Sequence, residues 1–140
     1  MLTLILLWEA LIMYKIGLVE QNQNLREFLS QVLIAAKFEV LELNQSEKSI
    51  QQDIDKHHPD FLIMDIGLPN EGLIKMCNTI KSHRSTKYLP LIVLTDNPLI
   101  KKKISISCTD QVLNMPFKIT DLISSIESRL EVINSLEVIN

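Results

Sequence analysis

The sequence predicts an α/β domain, a doubly wound sheet of five parallel strands with helices on both faces. Three observations carry this. Phe61-Leu62-Ile63-Met64 and Leu91-Ile92-Val93-Leu94 are apolar runs long enough for buried strands and too short for helices. Strand-like runs alternate with segments of helical spacing five times over, the pattern of a parallel sheet covered on both sides. At 140 residues the chain is long enough for one domain with one well-formed core.

Each element has its own local reason. Lys15-Ile16-Gly17-Leu18-Val19 is a short, mostly apolar strand. The polar turn Glu20 to Asn24 follows and includes an Asn able to cap a helix. Leu25, Phe28, Leu29, Val32, Leu33 and Ala36 then recur at helical spacing on one face. Residues 38–43 place Val40 and Leu41 between Glu39 and Glu42, which suits a strand near a sheet edge. Asn44, with Glu47 three residues later, opens a second helix to about residue 56. Its apolar face is thin, Ile50 and Ile54, and His57-His58-Pro59 breaks it.

The third strand is 60–65. A loop with Pro69 and Gly72 leads to a helix over 73–82, with Leu73, Ile74, Met76, Cys77 and Ile80 as candidates for its inner face. The fourth strand is 90–95. Pro98 starts a short helix capped by Asp96 or Asn97. Ile104, Ile106 and Cys108 alternate, so that piece reads equally as extended chain. Residues 111–114 are the fifth strand. Thr120 and Asp121 open the last helix, with Leu122, Ile123, Ile126, Leu130 and Ile133 inward. The domain is therefore expected over 14–134, with a tail at 135–140 in which Leu-Glu-Val-Ile-Asn occurs a second time. One such copy is too short for a repeat architecture.

Residues 1–13 form an apolar extension, interrupted only by Thr3 and Glu9. It is shorter than the roughly 20 residues a membrane span needs, and it lacks the charged flank and cleavage site of a secretion signal. Packing against the domain or a second copy ranks first, with Trp8 as an apolar anchor. A start-site artefact upstream of Met13 ranks next. A membrane-surface anchor ranks last, because Glu9 is its sole charge and such helices carry a basic face.

Composition narrows function. The chain has 46% apolar and 22% charged residues, within the ordinary globular range. A net charge of −3 offers no electrostatic reason for nucleic-acid binding. Cys77 and Cys108 have no metal-type spacing and read as buried thiols of a cytoplasmic protein. His57, His58 and His83 lie in polar loops without the partners a metal site needs.

Asp65 is the most informative residue. Asp commonly starts turns, but this one ends a buried apolar strand, where open α/β sheets build their sites. Such a carboxylate needs a cation or hydrogen bonds to sit there. The other strand mouths carry Glu20, Thr95 and Met115. Two acids can hold a hard divalent ion such as Mg2+. A carboxylate beside that ion can take up a phosphoryl group as an acyl phosphate, and a hydroxyl can bond the phosphoryl oxygen.

From Tyr14 to about Arg129 the chain resembles the receiver domain of two-component response regulators. The resemblance rests on Ile16-Gly-Leu-Val-Glu20, on His58-Pro-Asp-Phe-Leu-Ile-Met-Asp-Ile-Gly-Leu-Pro69, on Leu89-Pro-Leu-Ile-Val-Leu-Thr95 and on Pro116-Phe117. It implies a flavodoxin-like sheet of order 2-1-3-4-5 and a part in phosphorelay signalling. Asp65 matches the phosphoacceptor, Glu20 the first of two acids after strand one, Gly67 the residue whose carbonyl binds the metal, and Thr95 the switch hydroxyl. The implied partners are a sensor histidine kinase or phosphotransfer protein, or a downstream protein, with a homodimer as a further option. The fourth helix, fifth strand and fifth helix are the family's usual partner surface, which gives Lys101-Lys102-Lys103 a docking role as the alternative to a solvated face.

The departures from the pattern matter. The family's second acid falls on Gln21, and its lysine before Pro-Phe falls on Met115. Val112 stands at the switch aromatic, and Asp96 follows the switch hydroxyl where a very small residue is usual. The loops after Asp65 and after Thr95 run short, which puts the fourth helix in question. Weak Mg2+ binding and weak phosphorylation are therefore expected, in a stand-alone receiver with no output domain after the fifth helix. The alternative is a phosphorylation-independent pseudo-receiver acting as an interaction adaptor. An aspartyl-nucleophile phosphatase would want a second acid at Gly67. Cofactor binding in the flavodoxin manner would want a Gly-rich or hydroxyl-rich loop after strand one.

Overall fold

The apolar run 61–64 pairs on both edges, which makes it the centre of the sheet. In a computed structural model that describes residues 13–43, 47–66, 71–104 and 111–139, strand β3 (Phe61–Asp65) lies between β1 (Lys15–Val19) and β4 (Leu91–Thr95). β2 (Glu39–Glu42) flanks β1 and β5 (Gln111–Asn114) flanks β4, all parallel, in the order β2-β1-β3-β4-β5. The helices are α1 (Gln23–Ala35), α2 (Glu47–His57), α3 (Glu71–Ser82), α4 (Pro98–Ile104) and α5 (Ile119–Ile139).

Alternation along the strands divides the core. Leu62, Met64, Leu91 and Val93 face one side, against Ile50 and Ile54 of α2, Met76, Cys77 and Ile80 of α3, and Ile100 and Ile104 of α4. Phe61, Ile63, Ile92 and Leu94 face the other, against Leu29 and Leu33 of α1 and Leu122, Ile126 and Leu130 of α5. Each fully buried side chain of this size contributes roughly 1.5–3 kcal/mol, so β3 and β4 dominate stability. Edge strands β2 and β5 are only half-buried.

Several local features agree with the sequence signals. Asn22 caps α1, its side chain accepting from the Leu25 amide at 3.0 Å. The α4 cap is Asn97, whose Oδ1 accepts from the Leu99 amide at 2.9 Å, while Asp96 is exposed. The fourth helix is formed over Pro98–Ile104 despite the shortened segment. α3 starts at Glu71 rather than 73, so Leu73 is already inside the helix where it packs on the core. Cys77 is a buried thiol with its Sγ 3.4 Å from Met64 Sδ. The expectations for residues 1–12, Asn44, Gly67 and Cys108 fall outside the described residues, as do the tail's side chains. Among the described residues no helix is long and apolar enough to cross a membrane.

Candidate phosphoacceptor site

Register brings the two acids together. Val19 pairs with Met64, so the next residues, Glu20 and Asp65, leave neighbouring strands side by side at the carboxyl edge. Asp65 pairs with Leu94, which puts Thr95 one step beyond at the end of β4. Three of the residues singled out in the sequence therefore share one mouth of the sheet.

The acids are under electrostatic tension. Glu20 is 3% exposed, and its Oε1 accepts the Asn22 amide at 3.0 Å. Its Oε2 and the Oδ1 of Asp65 are buried and meet no donor. Burial, then the adjoining Asp65 carboxyl, pushes the Glu20 carboxyl up to about 8. With two acceptors facing each other, only a shared proton or a cation can join them. A divalent ion with oxygen ligands fits that demand, and Glu20 and Asp65 are the residues that would hold it. The ligand set is lean, since Gln21 is exposed and uncharged.

Thr95 is fully buried and already engaged. Its hydroxyl donates to the Ile66 carbonyl at 2.6 Å and accepts the Asn97 amide at 3.1 Å. It reaches a phosphoryl oxygen only by giving up the Ile66 bond. Met115 supplies no cation. Its amide bonds the Thr95 carbonyl at 2.9 Å, and its side chain packs against the α1 and α5 core. Val112 packs on the opposite core, with no aromatic ring to rearrange. An open groove of about 530 Å³ follows β5 into α5, lined in part by Val112, Phe117, Lys118 and Asp121. Among the described residues no three His, Cys, Asp or Glu side chains are grouped to hold a metal.

The family model for the response regulator receiver domain matches residues 16–127. The chain is a response regulator receiver domain. A curated relative, the transcriptional regulatory protein GltR of Pseudomonas aeruginosa, is 28% identical over 115 residues, which is 81% of this chain and 47% of the relative. The chain thus spans about half of that protein's length. Among solved structures, a Chloroflexus aurantiacus chain described as a response regulator has a TM-score of 0.75 at 27% identity, covering 84% of this chain and 97% of that one. The receiver domain of the Pseudomonas aeruginosa sensor histidine kinase PA1611, which has magnesium coordinated in its active-site cleft, gives 0.72 at 21% identity, with 84% and 97% covered. At that identity the likeness shows the fold alone.

Two features of this receiver escaped the sequence reading. Arg26 Nη1 donates to the main-chain carbonyl of Glu20 at 3.2 Å. An Arg six residues after the strand-one acid was the available signal. Asn97 ties the Thr95 hydroxyl to the start of α4 through its amide. No sequence signal shows that bond, because it depends on where Thr95 ends β4.

Proposed function

We propose that this receiver takes up a phosphoryl group on Asp65, weakly, within a phosphorelay. The observation that supports the reading is the pair of buried, donorless carboxylate oxygens on Glu20 and Asp65 at the sheet mouth, one strand from the Thr95 hydroxyl. In the step itself an Asp65 oxygen attacks the phosphorus of a phosphorylated donor. A new O–P bond forms, and the donor's bond to phosphorus breaks with its electron pair leaving on the donor atom. Glu20 and Asp65 would hold Mg2+, which when bound offsets the negative charge that the phosphoryl group brings. Thr95 would turn from Ile66 to the phosphoryl oxygen, and the Gly67 carbonyl would complete the metal's ligands. The donor would be a histidine kinase or a phosphotransfer protein. This is a signalling module rather than an enzyme, placed in the cytoplasm.

The weakness follows from charge. Gln21 removes one carboxylate from the metal, and Met115 removes the fixed cation. Contacts of that kind are worth about 1.5–3 kcal/mol each. These same two residues favour a second reading, a pseudo-receiver that binds partners without phosphorylation. Leu99 of α4, 65% exposed, and the groove along β5 would then form its docking face. Mg2+ affinity with and without beryllofluoride, together with acetyl phosphate labelling of the chain and of Asp65→Ala, separates the two. Labelling slower than in an ordinary receiver and lost in Asp65→Ala supports the first. No labelling and no beryllofluoride binding supports the second.

A further inference from the structure

A phosphoryl group at Asp65 meets the Glu20 carboxyl and, from the end of β5, no positive charge, since Met115 stands there with its side chain packed against the α1 and α5 core. Of the cations near this edge, Lys118 follows Phe117 and lines the groove beside β5 together with Asp121. Arg26 is placed differently. It sits in the first turns of α1, only 30% exposed, with Nη1 on the main-chain oxygen of Glu20. Glu20 is the residue whose Oε2 lacks a donor.

Arg26 also has unused capacity. A guanidinium carries five N–H donors in a planar fork. Among the described residues its contacts are the Glu20 carbonyl at 3.2 Å and a loose pairing, Nε to Glu42 Oε2 at 3.8 Å. Glu42 is 56% exposed, and an ion pair of that length at the surface holds the side chain weakly. A phosphoryl group offers two oxygens to the same fork in a charge-assisted, bidentate arrangement, which is the stronger bond.

We propose that Arg26 is the phosphoryl-binding cation of this receiver, exchanging Glu42 for the phosphoryl oxygens when Asp65 is loaded. The inference rests on the phosphoacceptor reading above. Arg26 and Glu42 then have opposite effects. Arg26 pulls the anion in, and Glu42 competes for Arg26.

The test uses the full chain with Mg2+ and acetyl phosphate, following the rate of acyl phosphate formation per folded molecule, and beryllofluoride affinity as a measure of anion binding without transfer. Arg26→Gln should slow labelling about tenfold or more and weaken beryllofluoride binding in proportion. Arg26→Lys should recover part of both, because the charge returns without the fork. Glu42→Gln should label faster than the unaltered chain, by up to about fivefold, the most that a surface ion pair withholds. If Arg26 only pinned the β1–α1 turn, both Arg26→Gln and Glu42→Gln would lower thermal stability and neither would raise the rate. Arg26→Gln labelling at the unaltered rate, or Glu42→Gln labelling more slowly, overturns the proposal and leaves Asp65 as acceptor. An unaltered chain that takes no label overturns the phosphoacceptor reading, and Arg26 with it. Should Arg26→Gln fail to fold, Glu42→Gln and Arg26→Lys still decide.

Discussion

Glu20 carries a charge problem that can be read in stability. Its folded carboxyl titrates near 8 against an ordinary 4.5, raised by burial and by Asp65. Between those values the folded chain keeps the proton and the unfolded chain has lost it. The unfolded state therefore binds fewer protons, and stability must fall as pH rises through the window. Urea unfolding without Mg2+ should show lower stability at about pH 8 than at about pH 5, and Glu20→Gln should flatten most of that slope. A slope unchanged in Glu20→Gln would place the titrating group elsewhere. On the phosphoacceptor reading proposed above, the site is also short of charge at Gln21 and Met115. Restoring Gln21→Asp and Met115→Lys together should tighten Mg2+ and raise acetyl phosphate uptake, by more than either change alone. The two act on one phosphoryl group, so their effects should couple rather than add. Asp65→Ala should abolish uptake in either background. The Met115 side chain is half-buried against the α1 and α5 core, so the new lysine must lay its stem along that surface and carry its ammonium out to the site. If the double change gains nothing, that route is closed.

At the scale of elements, close approach decides what the strands tolerate. Gly17 sits in mid-β1, where an added Cβ would come within 2.6 Å of Leu62 Cδ2 and 2.8 Å of Leu43 Cδ1. Both obstacles are side-chain ends of branched residues, and Leu62 is wholly buried. Gly17→Ala should destabilise the domain by about 1–3 kcal/mol, the range for overpacking a filled core. A denaturation midpoint that does not move would mean the leucines repack freely. α4 poses a different question, since seven residues cannot hold a helix by themselves. Ile100 and Ile104 anchor it to the core and Asn97 caps it. Asn97→Ala should cost about 1 kcal/mol, as cap losses do, with faster amide exchange in α4 as the local readout.

Across the whole molecule, the sheet's carboxyl edge holds the acids, and the chain enters β1 at the opposite, amino edge. Met13 is 51% exposed at that amino edge, and Tyr14 already packs with the α1 and α5 core. α5 runs toward the same edge. Its 21 residues span roughly 31 Å at helical rise, against roughly 17 Å for a five-residue strand, so the helix outruns the sheet it covers. Removing residues 1–12 should lower thermal stability or reduce the sedimenting mass if the apolar segment packs on the domain or on a second copy. Stability and mass both unchanged would mean that the segment packs on neither.

Much of this was legible along the chain. Buried parallel strands are continuous apolar runs, so β3 and β4 announce themselves, and the pattern around Asp65 and Pro69 located the phosphoacceptor candidate without coordinates. The starts of α1 and α4 were legible because capping is chemistry between near neighbours, as at Asn22 and Asn97. Distances across strands were not legible. That Glu20 and Asp65 face each other with donorless oxygens follows from the register of β1 on β3, and register is a tertiary quantity. The side on which Met115 packs, the bond that occupies Thr95 and the carbonyl that holds Arg26 were settled in the same way, by which elements meet at the sheet mouth. Local sequence determined which residues stand at the strand ends. Only the packing of one strand against the next decided which of their charges must share a site.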